Sequence, residues 1–331
     1  MIRSLIEHRH KHSTRIASGQ RMADEFTIFT GRSNPNLAEQ IAQALGVRLG
    51  ACAIESFPDG EVSIRLDEPV RGREVFIVQS TGPPVNEHLV ELLAFADACR
   101  RASAASITAV VPYFGYARAD KREGSRIPVT ASMVADLMQV VGINHVLTVD
   151  VHAPQLEGFF RVPVDSLTVV PALHNELRNR LSQDTIVVSP DAGRIRMATE
   201  YAHLMNTSVV ILHKQRESAT ETEVTHVVGD VCNRSCLIVD DMISTGGTMA
   251  ESIKALLSAG ARPEITVAAT HGLLLDGARE NLSHKDVREV VVTDTVAIDK
   301  DWPQLKVVSA APLIADAIRQ FITDRSVCHL S

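Results

Sequence analysis

The sequence predicts an α/β protein of two domains, each a largely parallel sheet flanked by helices. Three observations carry that prediction. Short apolar runs alternate with stretches of helical spacing along most of the chain. A length of 331 residues fits two domains of ordinary size. One apolar run, inside 235–248, ends on two acids and a series of small residues. Open α/β sheets present ligand sites at such strand ends.

Residues 26–29 read as a strand closed by Gly31, and 36–45 as a helix after an Asn-Pro start. Pro58-Asp59-Gly60 is a turn signal. It leaves Phe57, Asp59 and Glu61 near one rim, whether the turn closes a hairpin alone or also serves a site. Residues 74–79 form a strand, 86–101 a helix and 107–111 a strand. The last ends in a segment holding Tyr113, Phe114, Tyr116, Arg118, Asp120, Lys121 and Arg122. Its aromatic rings offer packing for a base, and its cations can meet phosphate charge. Residues 130–141 are a helix and 145–150 a strand. His152 follows that strand's end and an acid, where a metal ligand or general acid/base would sit, although a lone histidine is more often structural.

The second half repeats the alternation. A strand at 185–188 leads to Asp191, a natural metal or ribose ligand at a sheet's carboxyl edge. Helix 194–205 and strand 208–212 follow. Residues 213–223 are polar, lack apolar anchors and read as a mobile loop. Lys214 and Arg216, two apart on it, could reach a charged transition state on closure, or simply be solvated. Beyond the 235–248 stretch come a strand at 265–270, a helix near 276–281, strands at 289–293 and 305–308, and an amphipathic helix at 312–321.

The 235–248 stretch carries the sharpest chemistry. Leu237, Ile238 and Val239 suit a parallel strand buried on both faces, which Asp240 and Asp241 are expected to stop. Ser244, Thr245, Gly246, Gly247 and Thr248 have little side-chain bulk, and helical spacing resumes over 250–257. Backbone N–H groups at the mouth of a helix are unpaired and sit in positive potential, so phosphate fits there. The two carboxylates can accept hydrogen bonds from sugar hydroxyls or approach a metal. The stretch therefore predicts a ribose phosphate. No Gly-Lys-Ser/Thr follows, so it is not a Walker loop. It resembles the ribose-5-phosphate loop of the type I phosphoribosyltransferase fold, which leaves the reaction open.

Composition removes other classes. The net charge of −7 and 4% aromatic content argue against nucleic-acid binding and against anionic membrane surfaces. No apolar run approaches the roughly 20 residues of a membrane span. The five cysteines are scattered: Cys232 and Cys236 are four apart, but no second pair completes a zinc site, and reduced thiols in a cytosolic protein are expected. Residues 1–22 carry a cationic excess and His8, His10 and His12 without a secretory apolar region; the arginine excess leaves a transit peptide open, but a disordered tail or an upstream extension preceding Met22 is the expectation.

Taken together, the motifs resemble the ribose-phosphate pyrophosphokinase family from about residue 26 to about residue 322. They are Phe57-Pro58-Asp59-Gly60-Glu61, Pro112-Tyr113-Phe114-Gly115-Tyr116-Ala117-Arg118, Asp150-Val151-His152-Ala153-Pro154-Gln155 with Gly158-Phe159-Phe160, Ser189-Pro190-Asp191-Ala192-Gly193, Lys214-Gln215-Arg216, and Val239 to Thr248. The resemblance implies two type I phosphoribosyltransferase-like domains, at 24–166 and 167–308, with a tail at 1–23 and a C-terminal helix at 309–325. It implies transfer of a diphosphoryl group from ATP to ribose 5-phosphate, with Mg²⁺ as cofactor. By the same resemblance, Phe57, Asp59, Glu61, Arg118, Asp120 and Lys121 bind ATP. His152 and Asp191 hold the metal, Lys214 and Arg216 are catalytic, and Asp240, Asp241 and Ser244 to Thr248 bind ribose 5-phosphate. A cytoplasmic homo-oligomer is implied, dimer-based and most simply a hexamer, with the ATP site at a subunit interface.

The chain also departs from the family pattern. Ala119 stands where glutamine is frequent, Arg194 where a second glycine is usual, and Gln215 where arginine is commonest. The 217–221 segment is closer to archaeal members, which leaves phosphate activation, ADP inhibition and hexameric assembly open. Two alternatives share some motifs. A phosphoribosyltransferase needs only one such domain and no ATP motifs. A non-catalytic regulatory paralogue should have lost metal or loop residues, yet His152, Asp191, Lys214 and Arg216 are all present.

Overall fold

The computed structural model describes residues 26–122, 124–216, 223–298, 301–323, 326–327 and 330. The histidine-bearing tail and Cys328 lie outside them.

The first half is a parallel five-stranded sheet in the order β1-β4-β5-β6-β7. Its strands are β1 (Phe26–Thr30), β4 (Glu74–Val78), β5 (Ser106–Val111), β6 (His145–Val149) and β7 (Val164–Leu167). The central strands are nearly continuous apolar runs because helices cover both faces. Helix α1 (Pro35–Leu45) shows why local sequence sets its ends. Asn34 accepts from the Leu37 N–H at 3.2 Å, proline opens the first turn, and Gly46 at φ 72° closes the last. Helix α2 (Val85–Arg101) and helix α3 (Thr130–Val140) complete this half. A separate antiparallel hairpin, β2 (Cys52–Ser56) with β3 (Val62–Leu66), turns at Pro58-Asp59-Gly60 as expected, with the Phe57 N–H donating to the Glu61 carbonyl at 2.8 Å.

After helix α4 (Val170–Leu177), the second half is a seven-stranded sheet in the order β10-β9-β8-β11-β12-β13-β14. The strands are β8 (Ile186–Ser189), β9 (Val209–Arg216), β10 (Glu223–Val228), β11 (Cys236–Ile243), β12 (Ile265–Gly272), β13 (Val287–Thr293) and β14 (Leu305–Val308). All pairings are parallel except β9 with β10. Helices α5 (Ile195–Met205), α6 (Gly247–Ser258) and α7 (Ala278–Leu282) flank it, while α8 (Ala311–Ile322) packs back on α1 of the first half, with the Phe321 ring 6.4 Å from the Phe76 ring.

Two expectations fail here. Asp240 and Asp241 do not end β11, which continues to Ile243 with Asp240 opposite Ala269 and Met242 opposite His271. A central strand has partners on both edges, and ladder bonds use backbone rather than side-chain polarity. Residues 213–216 and 223 are not loop: Lys214 and Arg216 fall on β9, opposite Thr225 and Glu223 of β10. The antiparallel ladder holds residues 213–216 as strand without apolar anchors of their own, while the apolar residues of β10, Val224, Val227 and Val228, lie beyond the polar stretch.

The two halves share one core. Leu37 and Ile41 of α1, Phe76 of β4, Val239 of β11 and Ile314 and Ile318 of α8 belong to a single buried apolar cluster. Polar bonds cross the same boundary. The Asn34 side-chain amide donates to the Asp294 carbonyl at 2.6 Å, and the Ser80 hydroxyl donates to the Thr295 carbonyl. No helix among the described residues is long and apolar enough to cross a membrane.

Candidate active site

The site grows from the carboxyl end of β11. Asp240 is 9% exposed and Asp241 2%. The Asp241 N–H donates to Asp240 Oδ1 at 2.8 Å, so the two carboxylates are held side by side. Burial pushes Asp240 well above the usual carboxylate range, and the hydrogen-bonded charge of Asp241 reinforces it, while Arg194 opposes. Burial also works against ionised Asp241, but the His152 hydrogen bond and the Arg194 charge outweigh it and hold that carboxyl well below its usual range. The pair therefore titrates as a unit whose ionised member is Asp241.

The chain then turns through Ser244, Thr245 and Gly246 into α6. Gly246 sits at φ 76°, and a Cβ there would lie 3.2–3.4 Å from Leu282 and the Ala278 carbonyl. Both the left-handed backbone and the tight neighbour require glycine. The turn is pinned from outside: the Leu275 N–H donates to the Ser244 carbonyl at 3.0 Å and the Asn281 amide to the Thr245 carbonyl at 2.8 Å. Helix α6 has no side-chain cap at its N-terminus, so its first N–H groups and its dipole face the cleft.

His152 arrives from the first half. Asp150, just beyond β6, adopts φ 37° and accepts from the Val169 N–H at 3.1 Å and the Thr270 hydroxyl at 2.7 Å. This bend carries the chain towards the second sheet. His152 Nδ1 lies 2.7 Å from Asp241 Oδ2. An ionised carboxylate only accepts, so Nδ1 carries the proton and donates. Asp191, after β8, accepts from the Gly193 N–H at 2.7 Å and opens a single 3₁₀ turn.

A cleft of about 200 Å³ collects these groups. Every residue expected for ribose 5-phosphate lines it: Asp240, Asp241, Ser244, Thr245, Gly246, Gly247 and Thr248. Both expected metal ligands, His152 and Asp191, line it too, as does Arg118. Arg118 also walls an adjoining groove of about 550 Å³ with Tyr116, Asn86 and Glu87.

Other expected residues lie elsewhere. Phe57, Asp59 and Glu61 ride the β2–β3 hairpin and line neither cavity, with Phe57 50% exposed. Asp120 accepts from the Gln155 amide and, like Lys121, lines neither. Phe114 lines neither cavity, whereas Tyr113 lines the groove together with Tyr116. Both are buried, Tyr113 edge-on to His271 at 5.0 Å between ring centroids and Phe114 edge-on to Phe160 at 6.1 Å. Their place directly after a buried strand made them core.

A divalent metal is compatible with the donor set. Among the described residues no group of three or more His, Cys, Asp or Glu side chains converges to hold an ion. A metal that brings substrate phosphates and waters as ligands needs only one or two protein groups, and His152 and Asp191 supply two facing one cleft.

In the sequence Arg194 stands out only as a departure from a glycine. In the structure it lies among the site carboxylates, with Nε 3.4 Å from Oδ1 of both Asp240 and Asp241. His271, on β12 one residue beyond the expected strand end, is buried between the halves, 2.9 Å from the Thr295 hydroxyl and 3.1 Å from the Val149 carbonyl. No local pattern marks either role, because both depend on contacts between distant segments.

Comparison with known proteins agrees with this architecture. The N-terminal domain of ribose phosphate pyrophosphokinase matches residues 26–142, and the phosphoribosyl synthetase-associated domain matches residues 219–331. The chain is 44% identical to the ribose-phosphate pyrophosphokinase of Caldanaerobacter subterraneus subsp. tengcongensis over 313 residues, 94% of this chain and 99% of that one. It is 44% identical to that of Chromobacterium violaceum, over 93% of this chain and 95% of that one. The crystal structure of phosphoribosylpyrophosphate synthetase from Mycobacterium smegmatis superposes with a TM-score of 0.86 at 39% identity, covering 91% of this chain and 99% of that one. With the fold and the matched length in agreement, the chain belongs to the ribose-phosphate pyrophosphokinase family.

Proposed function

We propose that the chain transfers the β,γ-diphosphoryl group of ATP to the 1-hydroxyl of ribose 5-phosphate, giving phosphoribosyl pyrophosphate and AMP for nucleotide biosynthesis. The observation that supports it best is the joint lining of one cleft by the acidic pair, the small-residue turn into α6, His152, Asp191 and Arg118.

In this reading the turn from Ser244 to Thr248 takes the sugar phosphate with backbone N–H groups and the α6 dipole. Asp240 and Asp241 accept from ribose hydroxyls and fix the ring, so the anomeric oxygen faces the donor. Arg118, at the junction of cleft and groove, meets nucleotide phosphate; Asp120 and Lys121 follow it in the same loop. Phe57, Asp59 and Glu61, exposed on their hairpin, contact the adenine of a neighbouring subunit's ATP, which calls for a homo-oligomer built from dimers. Lys214 and Arg216 stabilise charge developing on the AMP leaving group. The cofactor in this reading is Mg²⁺: His152 and Asp191 would hold it, and it would supply neutralisation of phosphate charge. Alignment and charge stabilisation carry most of the barrier reduction, so no side chain needs to act as a strong base.

The domain division proposed is 24–166 and 167–308, with a C-terminal helix at 309–325 and a tail at 1–23. It is supported by the grouping of β1 to β7 into one sheet and a hairpin and of β8 to β14 into another sheet. A cytoplasmic location fits the substrates. The reaction is tested by incubating the purified chain with ATP, Mg²⁺ and ribose 5-phosphate. AMP should appear only when the sugar is present; ADP in its place, or no AMP, overturns the reading.

A further inference from the structure

Arg194 lines the cleft beside the acidic pair. Its side chain is 13% exposed. Nε stands 3.4 Å from a carboxylate oxygen of Asp240 and from one of Asp241. Nη1 donates to the His152 carbonyl at 3.2 Å. Nη2 is 3.1 Å from His152 Nδ1 and 3.3 Å from Nε2. A donor in line with one ring nitrogen would be far from the other, so the guanidinium lies against the face of the imidazole. The Nδ1 proton is thereby left for Asp241. Two carboxylates and an imidazole thus surround one permanently charged group.

Those three side chains form the kind of set that binds a divalent cation when nothing stands among them. As folded they do not converge on a metal position. The Arg194 guanidinium stands among them instead. The same side chain also divides the cleft from a second cavity of about 500 Å³, since His152, Arg194 and Asp241 line both.

We propose that Arg194 is a resident cation of the site: its guanidinium takes the place of a divalent ion among His152, Asp240 and Asp241 and keeps metal out of that set, so that the acidic pair is left for the acceptor sugar. Arg194 is then a positioning residue, holding the acidic pair in place by charge. Naming the substrates rests on the function proposed above; exclusion of metal does not.

The test is Mn²⁺ titration of the purified chain without nucleotide or sugar, read by the electron paramagnetic resonance of free Mn²⁺. Arg194→Gly should bind one more Mn²⁺ than the wild type, roughly tenfold or more tighter than surface carboxylates, because affinity follows the charge count of the site. Adding Asp241→Asn to Arg194→Gly should abolish the gained ion. Arg194→Gln, neutral but of similar reach, guards against collapse of the turn and should also gain the ion; Arg194→Lys, still cationic, should not. Equal Mn²⁺ binding by the wild type and both neutral variants overturns the proposal, as does a gained ion that survives Asp241→Asn. Because no chemistry takes place in this titration, its failure leaves the assigned reaction standing, and failure to form AMP leaves the titration result standing.

Discussion

His152 donates its Nδ1 proton to Asp241 across 2.7 Å, joining the end of β6 in the first half to the end of β11 in the second. The bond couples the residue proposed to meet metal with the residue proposed to meet sugar. Asp241 is nearly fully buried and ionised, so it depends on His152 and Arg194 for its stability.

The acidic pair should act on the acceptor far more than on the donor. Replacing Asp240 and Asp241 together with alanine should raise the KM for ribose 5-phosphate much more than that for ATP, since lost ground-state contacts appear in KM. Initial rates with each substrate varied in turn will show the split. Equal effects on both would make the pair a metal site rather than a sugar site.

Lys214→Ala should lower kcat about a hundredfold or more, the usual range on losing one donor to transition-state charge. Single-turnover rates at saturating substrates check this. A near-normal rate would remove the β9 cations from the mechanism.

Gly246→Ala should cost about 1–2 kcal/mol, because a Cβ is strained in the left-handed region. That loss falls on the turn into α6, where Leu282 is also in the way. Urea unfolding should show the lowered stability, and the KM for ribose 5-phosphate should rise with it. An unchanged KM would place the sugar phosphate elsewhere.

His271 supplies a pH dependence with a definite sign. Burial holds its imidazole below the ordinary range, and the charges of Asp241 and Asp150 do not reverse this. The unfolded chain takes up a proton near pH 6.5 while the folded one resists it. The contribution is therefore full above about pH 6.5 and is lost as pH falls, by at most about 1.4 kcal/mol per pH unit. Urea midpoints at pH 7.5 and 5.5 should differ less in His271→Gln than in the wild type. The same pH response in both chains would exclude His271 as the source.

Much of this was legible along the chain, and the reasons are local. Leu237 to Val239 announced a buried strand, the glycine-rich turn announced a cradle, and Asn34-Pro35 announced a helix start, because each depends on near neighbours. What escaped depends on distant ones. Strand β10 took its structure from pairing with β9. Tyr113 and Phe114 became core through His271 and Phe160. Arg194 acquired its place only when the halves brought His152 beside Asp241.

Two phosphoryl groups should move together, and ATP labelled with ³²P at the β position tests this directly. With ribose 5-phosphate and Mg²⁺ present, the label should pass entirely to the sugar product and the nucleotide product should be unlabelled AMP. Label retained in ADP, with the sugar product unlabelled, would contradict the account.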